Sequence, residues 1–261
     1  MIPLLLANLI LLVLVLYLFH AYQRERKKRK ARKQRLPHPV ADINPEELAL
    51  DLEPDEYGFK PDAEVIFLGT PSGGVYGGTS DRETWLLAYF AKKSKQIFEF
   101  GTCTGKTTYL LARNSPGDAI VTTLTLAPDD IKSYRRGNDD LKQDTKSALM
   151  ETCFTEFRYS GTDVEGKVRQ YYGDSKNFNE TPFLNLCDLV FIDGSHAYSY
   201  VSNDSEKALR MICPGGIILW HDYRGPDEAA GVYRYLNELS SRLPLRHIRG
   251  TSLVIYRKDH Q

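Results

Sequence analysis

Two apolar runs in this chain end on the same pair of chemical groups. Asp188-Leu-Val-Phe-Ile-Asp193-Gly194-Ser195-His196 closes on a carboxylate and an imidazole, and Ile217-Ile-Leu-Trp220-His221-Asp222-Tyr223 does so again. Carboxylates and imidazoles at the end of a buried run move protons or hold cations. His221 is therefore a candidate general base, with Asp193 and Asp222 as its catalytic companions. The same three residues form a candidate metal set. Two carboxylates suit Mg2+ or Mn2+, and the imidazole tilts the choice toward Mn2+ or another transition metal. A metal-free arrangement, with Asp222 orienting the His221 ring, stands beside it. His196 reads equally well as a turn residue bonded locally.

A third stretch offers backbone rather than side chains. Glu99-Phe100-Gly101-Thr102-Cys103-Thr104-Gly105 leaves an apolar run and enters a helical pattern. Gly101 allows a tight turn and close backbone approach, and Gly105 lets a helix start beside a strand, so a ligand would meet N–H groups at a helix N-terminus. Gly105-Lys106-Thr107 imitates the end of a P-loop, but Phe100 stands where that loop needs its first glycine. The dinucleotide fingerprint fails at Cys103, which replaces its second glycine. Tyr172-Gly173-Asp174-Ser175 places another acid after an apolar run, where an ordinary turn with a helix cap is the alternative.

These residues need a scaffold that brings strand ends together. Strand patterns fall at Gln96–Phe100, Ala119–Leu126, Val168–Tyr172, Asp188–Asp193 and Gly216–Trp220. Helical patterns at Gly105–Arg113, Tyr198–Ile212 and Glu228–Ser240 separate most of them. Such alternation predicts a parallel sheet with helices on both faces, whose ligands sit at the carboxyl ends of the strands. Leu245–Ile248 and Ser252–Tyr256 are joined by only three residues, which demands an antiparallel hairpin. Before the sheet, Ser80 and Glu83 have capping-box spacing, with Trp85, Leu86, Tyr89 and Phe90 on one helical face. The Gly-rich stretch Gly69–Ser80 reads as a lid or a connector. The polar segment from Ala127 to Lys167 has no readable pattern.

The chain has 261 residues and equal numbers of acidic and basic side chains. That balance hides an asymmetry: Arg24–Arg35 carries nine Lys/Arg and one acid, a net +8, so the remainder is −8. An acidic domain repels phosphate, so no nucleic-acid partner is expected. From Ile2 to about Tyr22 the sequence is apolar and uncharged, long enough to cross the hydrocarbon core of a bilayer. The basic cluster behind it predicts a single-pass anchor with the rest of the chain in the cytoplasm. Five prolines between 36 and 62 read as a tether, with one short helix opening at Asn44-Pro45. The expected organisation is an anchor at 1–22, a basic and Pro-rich linker at 23–62, and one domain at 63–261. Cys103, Cys153, Cys187 and Cys213 are too dispersed for a zinc ribbon or a disulfide framework.

The segments beginning Asp188-Leu-Val-Phe-Ile-Asp193-Gly194-Ser195-His196-Ala197-Tyr198, continuing through Val201, Asp204 and Ala208 to Pro214-Gly215-Gly216, and ending His221-Asp222-Tyr223, resemble the methyltransferase domain 24 family. The resemblance covers about residues 95 to 225. It implies a Rossmann-like class I methyltransferase fold, a mostly parallel sheet with a C-terminal antiparallel hairpin, dependent on S-adenosylmethionine. It further implies cofactor contacts from Glu99, Gly101, Thr102, Gly105, Thr125, Asp174, Ser175 and Asp193, with Asp174 receiving the adenine amino group. One departure is Thr125, which stands where such domains carry a ribose-binding acid. Weaker cofactor binding is the expectation, with Asp129 or Asp130 as substitutes. The activity expected is O- or N-methylation of a small-molecule or membrane-proximal acceptor. A non-catalytic membrane-tethered scaffold and a P-loop-like nucleoside triphosphatase are the alternatives. The acceptor and the oligomeric state are not legible.

Overall fold

β-Branched and aromatic residues at alternating positions, interrupted by amphipathic helices, fold here into one sheet covered on both faces. The computed structural model describes residues 2–33, 40–49, 52 and 78–259, with side chains of the first helix described at 11–26. Two units result, Met1–Pro39 and Val40–Gln261.

The first unit contains one helix, α1 (Ile2–Lys33). Leu11, Leu12, Val13, Leu14, Val15, Leu16, Tyr17, Leu18 and Phe19 are all more than half exposed, so every face of this stretch is apolar. The predicted membrane span is not supported as such: among the described residues no helix is long and apolar enough to cross a membrane. The side chains at 2–10, which belong to the predicted span, lie outside the described residues, as do positions 69–77 of the glycine-rich stretch.

In the second unit the strands are β1 (Ala41–Ile43), β2 (Gln96–Phe100), β3 (Ile120–Thr125), β4 (Val168–Tyr172), β5 (Cys187–Ile192), β6 (Ile212–Trp220), β7 (Arg246–Ile248) and β8 (Val254–Arg257). They form one sheet in the order β1-β7-β8-β6-β5-β2-β3-β4. Strands β2 to β6 run parallel, and the hairpin β7–β8 joins them antiparallel through β8 against β6. The boundary expected at residue 62 moves toward the N-terminus: β1, inside the stretch read as a tether, adds to the sheet edge parallel to β7. Asn44 opens the expected turn of helix, with Pro45 at its first position and a reciprocal bond to Glu47.

Period-two alternation sends successive strand residues to opposite cores. Leu189, Phe191 and Leu219 pack with α2 (Asp81–Lys92) and α3 (Lys106–Asn114) through Leu86, Leu87, Phe90, Leu110 and Leu111. Phe98, Phe100, Val190, Ile192, Ile218 and Trp220 pack with α5 (Tyr198–Met211) and α6 (Ala230–Leu239) through Val201, Met211, Leu236 and Leu239. Ser80 caps α2, its hydroxyl accepting the Glu83 N–H while Glu83 reaches back to the Ser80 N–H. The unreadable segment after β3 folds into a 3-10 turn (Pro128–Ser133), α4 (Lys142–Met150) and a second 3-10 turn (Glu151–Cys153).

Candidate active site

The parallel register carries the site residues to one level. Phe100, Ile192 and Trp220 are paired across β2, β5 and β6, so the residues that follow them leave the sheet side by side. The hydrogen-bond ladder continues past the strand ends. Gly101 donates to Leu124, Asp193 to Phe100, His221 to Ile192 and Gly173 to Thr125. The chain reverses its order of strand addition between β2 and β5, the switch point where open α/β sheets bind ligands.

A cleft with about 590 Å³ of open space lies there. Its walls include Gly101, Cys103, Thr125, Leu126, Tyr134, Glu151, Gly173, Asp174, Ser175, Asp193, Ser195, Tyr200 and Asp204. Its mix of apolar surface with a few converging polar groups is that of a small-molecule site. Gly101 has φ +101°, and a Cβ there would lie 2.2 Å from the Asp193 carbonyl oxygen, so only glycine allows β2 and β5 to turn out together. Asp174 is buried. Its Oδ1 accepts the Lys176 N–H at 2.9 Å and its Oδ2 accepts the Tyr200 hydroxyl at 3.1 Å. Tyr134 stacks on Tyr200 with centroids 4.4 Å apart and meets Ser195 through its hydroxyl.

Five of the expected cofactor residues line this cleft: Gly101, Thr125, Asp174, Ser175 and Asp193. Glu99, Thr102 and Gly105 do not. Glu99 is fully buried below the cleft, where its Oε2 accepts the hydroxyls of Thr108 and Thr123. Burial pushes its carboxyl up to about 8, against the pull of those two hydroxyls, and it stands protonated at neutral pH. Thr102 bonds Thr123 at 2.7 Å, and Gly105 is the left-handed N-cap of α3, packed on Phe157. These three residues hold β2, β3 and α3 together and shape the turn from beneath. Asp129 and Asp130 do not line the cleft either. Lys106, the would-be P-loop lysine, is also absent from its walls and donates to Thr79.

Beyond Asp193 the site becomes ionic. His221 is buried, with Nδ1 at 3.0 Å from Asp193 Oδ1 and 3.2 Å from Asp222 Oδ2, and Nε2 at 3.5 Å from Glu83 Oε2. Neither ring nitrogen makes an aligned hydrogen bond to these oxygens, so charge rather than directed bonding holds the ring. Burial alone would lower the His221 pKa, but the surrounding carboxylates, Asp193 foremost, hold it well above the usual histidine range. Asp222 adopts φ +60° and faces three basic side chains, with His196 Nε2 at 2.7 Å and Arg224 Nε at 2.9 Å besides His221. Burial opposes its ionisation, yet His196 and His221 hold it well below the usual carboxylate range. Glu151, on the cleft wall, is pushed up to about 7 by burial and by the charges of Asp193 and Asp222.

The structure therefore brings Asp193, His221 and Asp222 together, with candidate ligand atoms all within 4.8 Å of one another. In the absence of a cation the surrounding carboxylates favour the protonated His221 ring, which weighs against its use as a free general base. His196 is no isolated turn residue, since it belongs to the same ionic cluster. Tyr134, Glu151 and Glu83 escaped the sequence reading. The first two sit in the segment without periodicity, and Glu83 carried only a capping signal.

The sheet order and the switch-point cleft have the arrangement of a Rossmann-like class I methyltransferase fold. Residues 98–223, just under half of the chain, match the model of a methyltransferase domain family, which supports an S-adenosylmethionine-dependent methyltransferase. No curated protein gives a significant match. A Corynebacterium glutamicum protein of solved structure shares the fold at 12% identity and TM-score 0.50, over 70% of this chain and 83% of that one. The O-methyltransferase TomG from Streptomyces achromogenes, solved with S-adenosylmethionine, is 20% identical over 70% of this chain and 82% of that one, TM-score 0.47. An O-methyltransferase from Bacillus cereus, solved with S-adenosylhomocysteine, is 17% identical over 70% and 83%, TM-score 0.45.

Proposed function

We infer that this chain transfers a methyl group from S-adenosylmethionine to an oxygen of a small-molecule or membrane-proximal acceptor. The observation that carries the reading is the cleft at the β2/β5 switch point, where Gly101, Thr125, Asp174 and Asp193 line one continuous wall. Asp174 would receive the adenine amino group, Thr125 a ribose hydroxyl, and the Gly101 turn with Asp193 the amino-acid end. Methyl transfer from a sulfonium is an in-line displacement that depends chiefly on holding donor and acceptor in line. The stacked Tyr134–Tyr200 pair would serve that end by narrowing the cleft.

The acceptor oxygen must lose its proton. Asp193, His221 and Asp222 fit a divalent cation that takes the place of the His221 ring proton: three donor atoms converge, and the buried imidazole nitrogens have no aligned hydrogen bond. Such a cation would acidify a hydroxyl bound to it. The donor set favours Mn2+ over Mg2+ because it includes an imidazole. In the metal-free alternative, Glu151 takes the proton, since its pKa near 7 suits a base working at neutral pH.

The apolar, all-round exposed stretch Leu11–Phe19 and the basic residues behind it support a further part of this reading, attachment of α1 to a bilayer with the domain on the cytoplasmic side. Retention on membranes through salt and alkaline wash tests it, and release by salt alone would overturn it.

Calorimetry with S-adenosylhomocysteine and with ATP tests the central reading. Binding of the first and not the second is expected, and tight ATP binding without the methionine cofactor would sink it. Turnover that survives excess chelator would assign the proton to Glu151 rather than to a metal.

A further inference from the structure

Glu83 lies on α2, far in sequence from every motif of the cleft, yet its side chain is buried against the ionic cluster. A capping box accounts for only one of its oxygens. Oε2 accepts the Ser80 N–H at 2.7 Å and the Ser80 hydroxyl at 2.8 Å. The other oxygen, Oε1, accepts the backbone N–H and the hydroxyl of Ser252, in the turn between β7 and β8. Ser252 passes the contact on, because its Oγ accepts the Asp222 N–H at 3.3 Å and its carbonyl accepts the Tyr223 N–H at 3.0 Å. The same carboxylate stands 3.5 Å from His221 Nε2, on the opposite side of the ring from Asp193 and Asp222. A buried carboxylate is costly to keep, and here both of its oxygens are used: the backbone N–H groups of Ser80 and Ser252 sit on different oxygens, so a glutamine, with a single accepting oxygen, would leave one of them unpaired. The same carboxylate also sets its charge against the imidazole.

We propose that Glu83 is the positioning residue of this site: it holds the Nε2 side of His221 so that Nδ1 faces Asp193 and Asp222, and through Ser252 it holds the left-handed backbone of Asp222. This rests on the reading of His221 and Asp222 as the acceptor side of a methyltransferase. Helix α2 and the β7–β8 turn thereby set the aim of two residues that belong to neither element. Asp222 needs such support, since a non-glycine residue at φ +60° is strained unless its surroundings hold it there.

The test uses the full-length chain labelled uniformly with 15N, as wild type, Glu83→Gln and Ser252→Ala, with His221→Asn to assign the ring signals. Glu83→Gln keeps the volume but only one accepting oxygen, so a merely structural role predicts lower stability with the His221 resonance unmoved. The positioning role predicts a shifted His221 Nε2–H resonance and at least tenfold faster hydrogen exchange at the Asp222 amide. S-adenosylhomocysteine affinity should stay within about twofold and the β2 and β5 amides should stay protected. Ser252→Ala should speed exchange at Asp222 while leaving the His221 resonance in place. An unchanged His221 resonance in Glu83→Gln would overturn the proposal, as would exchange rising uniformly across the sheet. Wild-type protein that fails to bind S-adenosylhomocysteine would overturn the methyltransferase reading instead, and the ring and amide signals would still decide the role of Glu83.

Discussion

The cleft wall nearest β2 and the cluster around His221 lie on the two sides of Asp193, and they are built differently. At the first, the backbone does the shaping. Gly101 turns at φ +101°, Gly105 and Gly173 also take positive φ, and the ladder runs on past the strand ends. At the second, side chains from distant parts of the chain meet around one ring: Glu83 from α2, Asp193 from the end of β5, and Asp222 with its partners His196 and Arg224. Backbone shaping tolerates little substitution but is insensitive to charge. The ionic cluster tolerates shape changes but depends on every charge having a counterpart, because a buried charge left unpaired is expensive.

The largest effect is expected at the backbone side. Gly101→Val places a side chain against the Asp193 carbonyl and should lower S-adenosylhomocysteine affinity more than a hundredfold by calorimetry. A folded variant that binds as well as wild type would show that this turn does not shape the ligand site.

On the ionic side, Asp222→Ala leaves His196, His221 and Arg224 without their shared carboxylate. Breaking a buried pair in this way costs about 3 kcal/mol, readable as a lower urea midpoint. Wild-type stability in this variant would mean that the cluster is not ionic, and the contrast between the two halves would collapse.

Glu99, beneath the backbone half, is the place where charge does bear on that half. Its carboxyl sits at about 8 in the fold, against 4.5 for an ordinary glutamate. The folded state thus binds the proton more tightly, and stability falls as pH rises from about 4.5 toward 8. Glu99→Gln removes that loss. The variant should match wild type near pH 4.5 and exceed it increasingly as the pH rises toward about 8. Identical pH–stability curves would place the ionised carboxylate in the fold.

The smallest effect should be a gain. Thr125 lines the cleft where a ribose hydroxyl is expected, and Thr125→Asp exchanges a neutral acceptor for a charged one. A charged hydrogen bond exceeds a neutral one by about 1 kcal/mol, so cofactor affinity should tighten by roughly fivefold. Unchanged affinity would remove Thr125 from the ribose position.

What the sequence determined by itself was everything local. Alternating apolar residues marked β2 to β6, and β2 and β4 have the bounds read from pattern. The short connection at Arg249–Thr251 required the antiparallel hairpin, which β7 and β8 form. Acids at strand ends were readable because a parallel sheet brings those ends together, and Asp174, Asp193, His221 and Asp222 all lie there. The tertiary structure alone decided which side chains turn into the cleft. Glu99 and Gly101 are two residues apart, yet one is buried beneath the cleft and the other lines it. It also decided the electrostatic surroundings of His221, because the three carboxylates around the ring come from separate elements and no local pattern registers their sum. Tyr134 and Glu151 belong to the same limit. Their segment has no period, and it takes its place by docking on α5, where Asp140 accepts the Ser199 N–H and hydroxyl and Tyr134 stacks on Tyr200. Periodicity reports how one element meets the core, whereas a site between elements is set by distances that the chain fixes only when it closes.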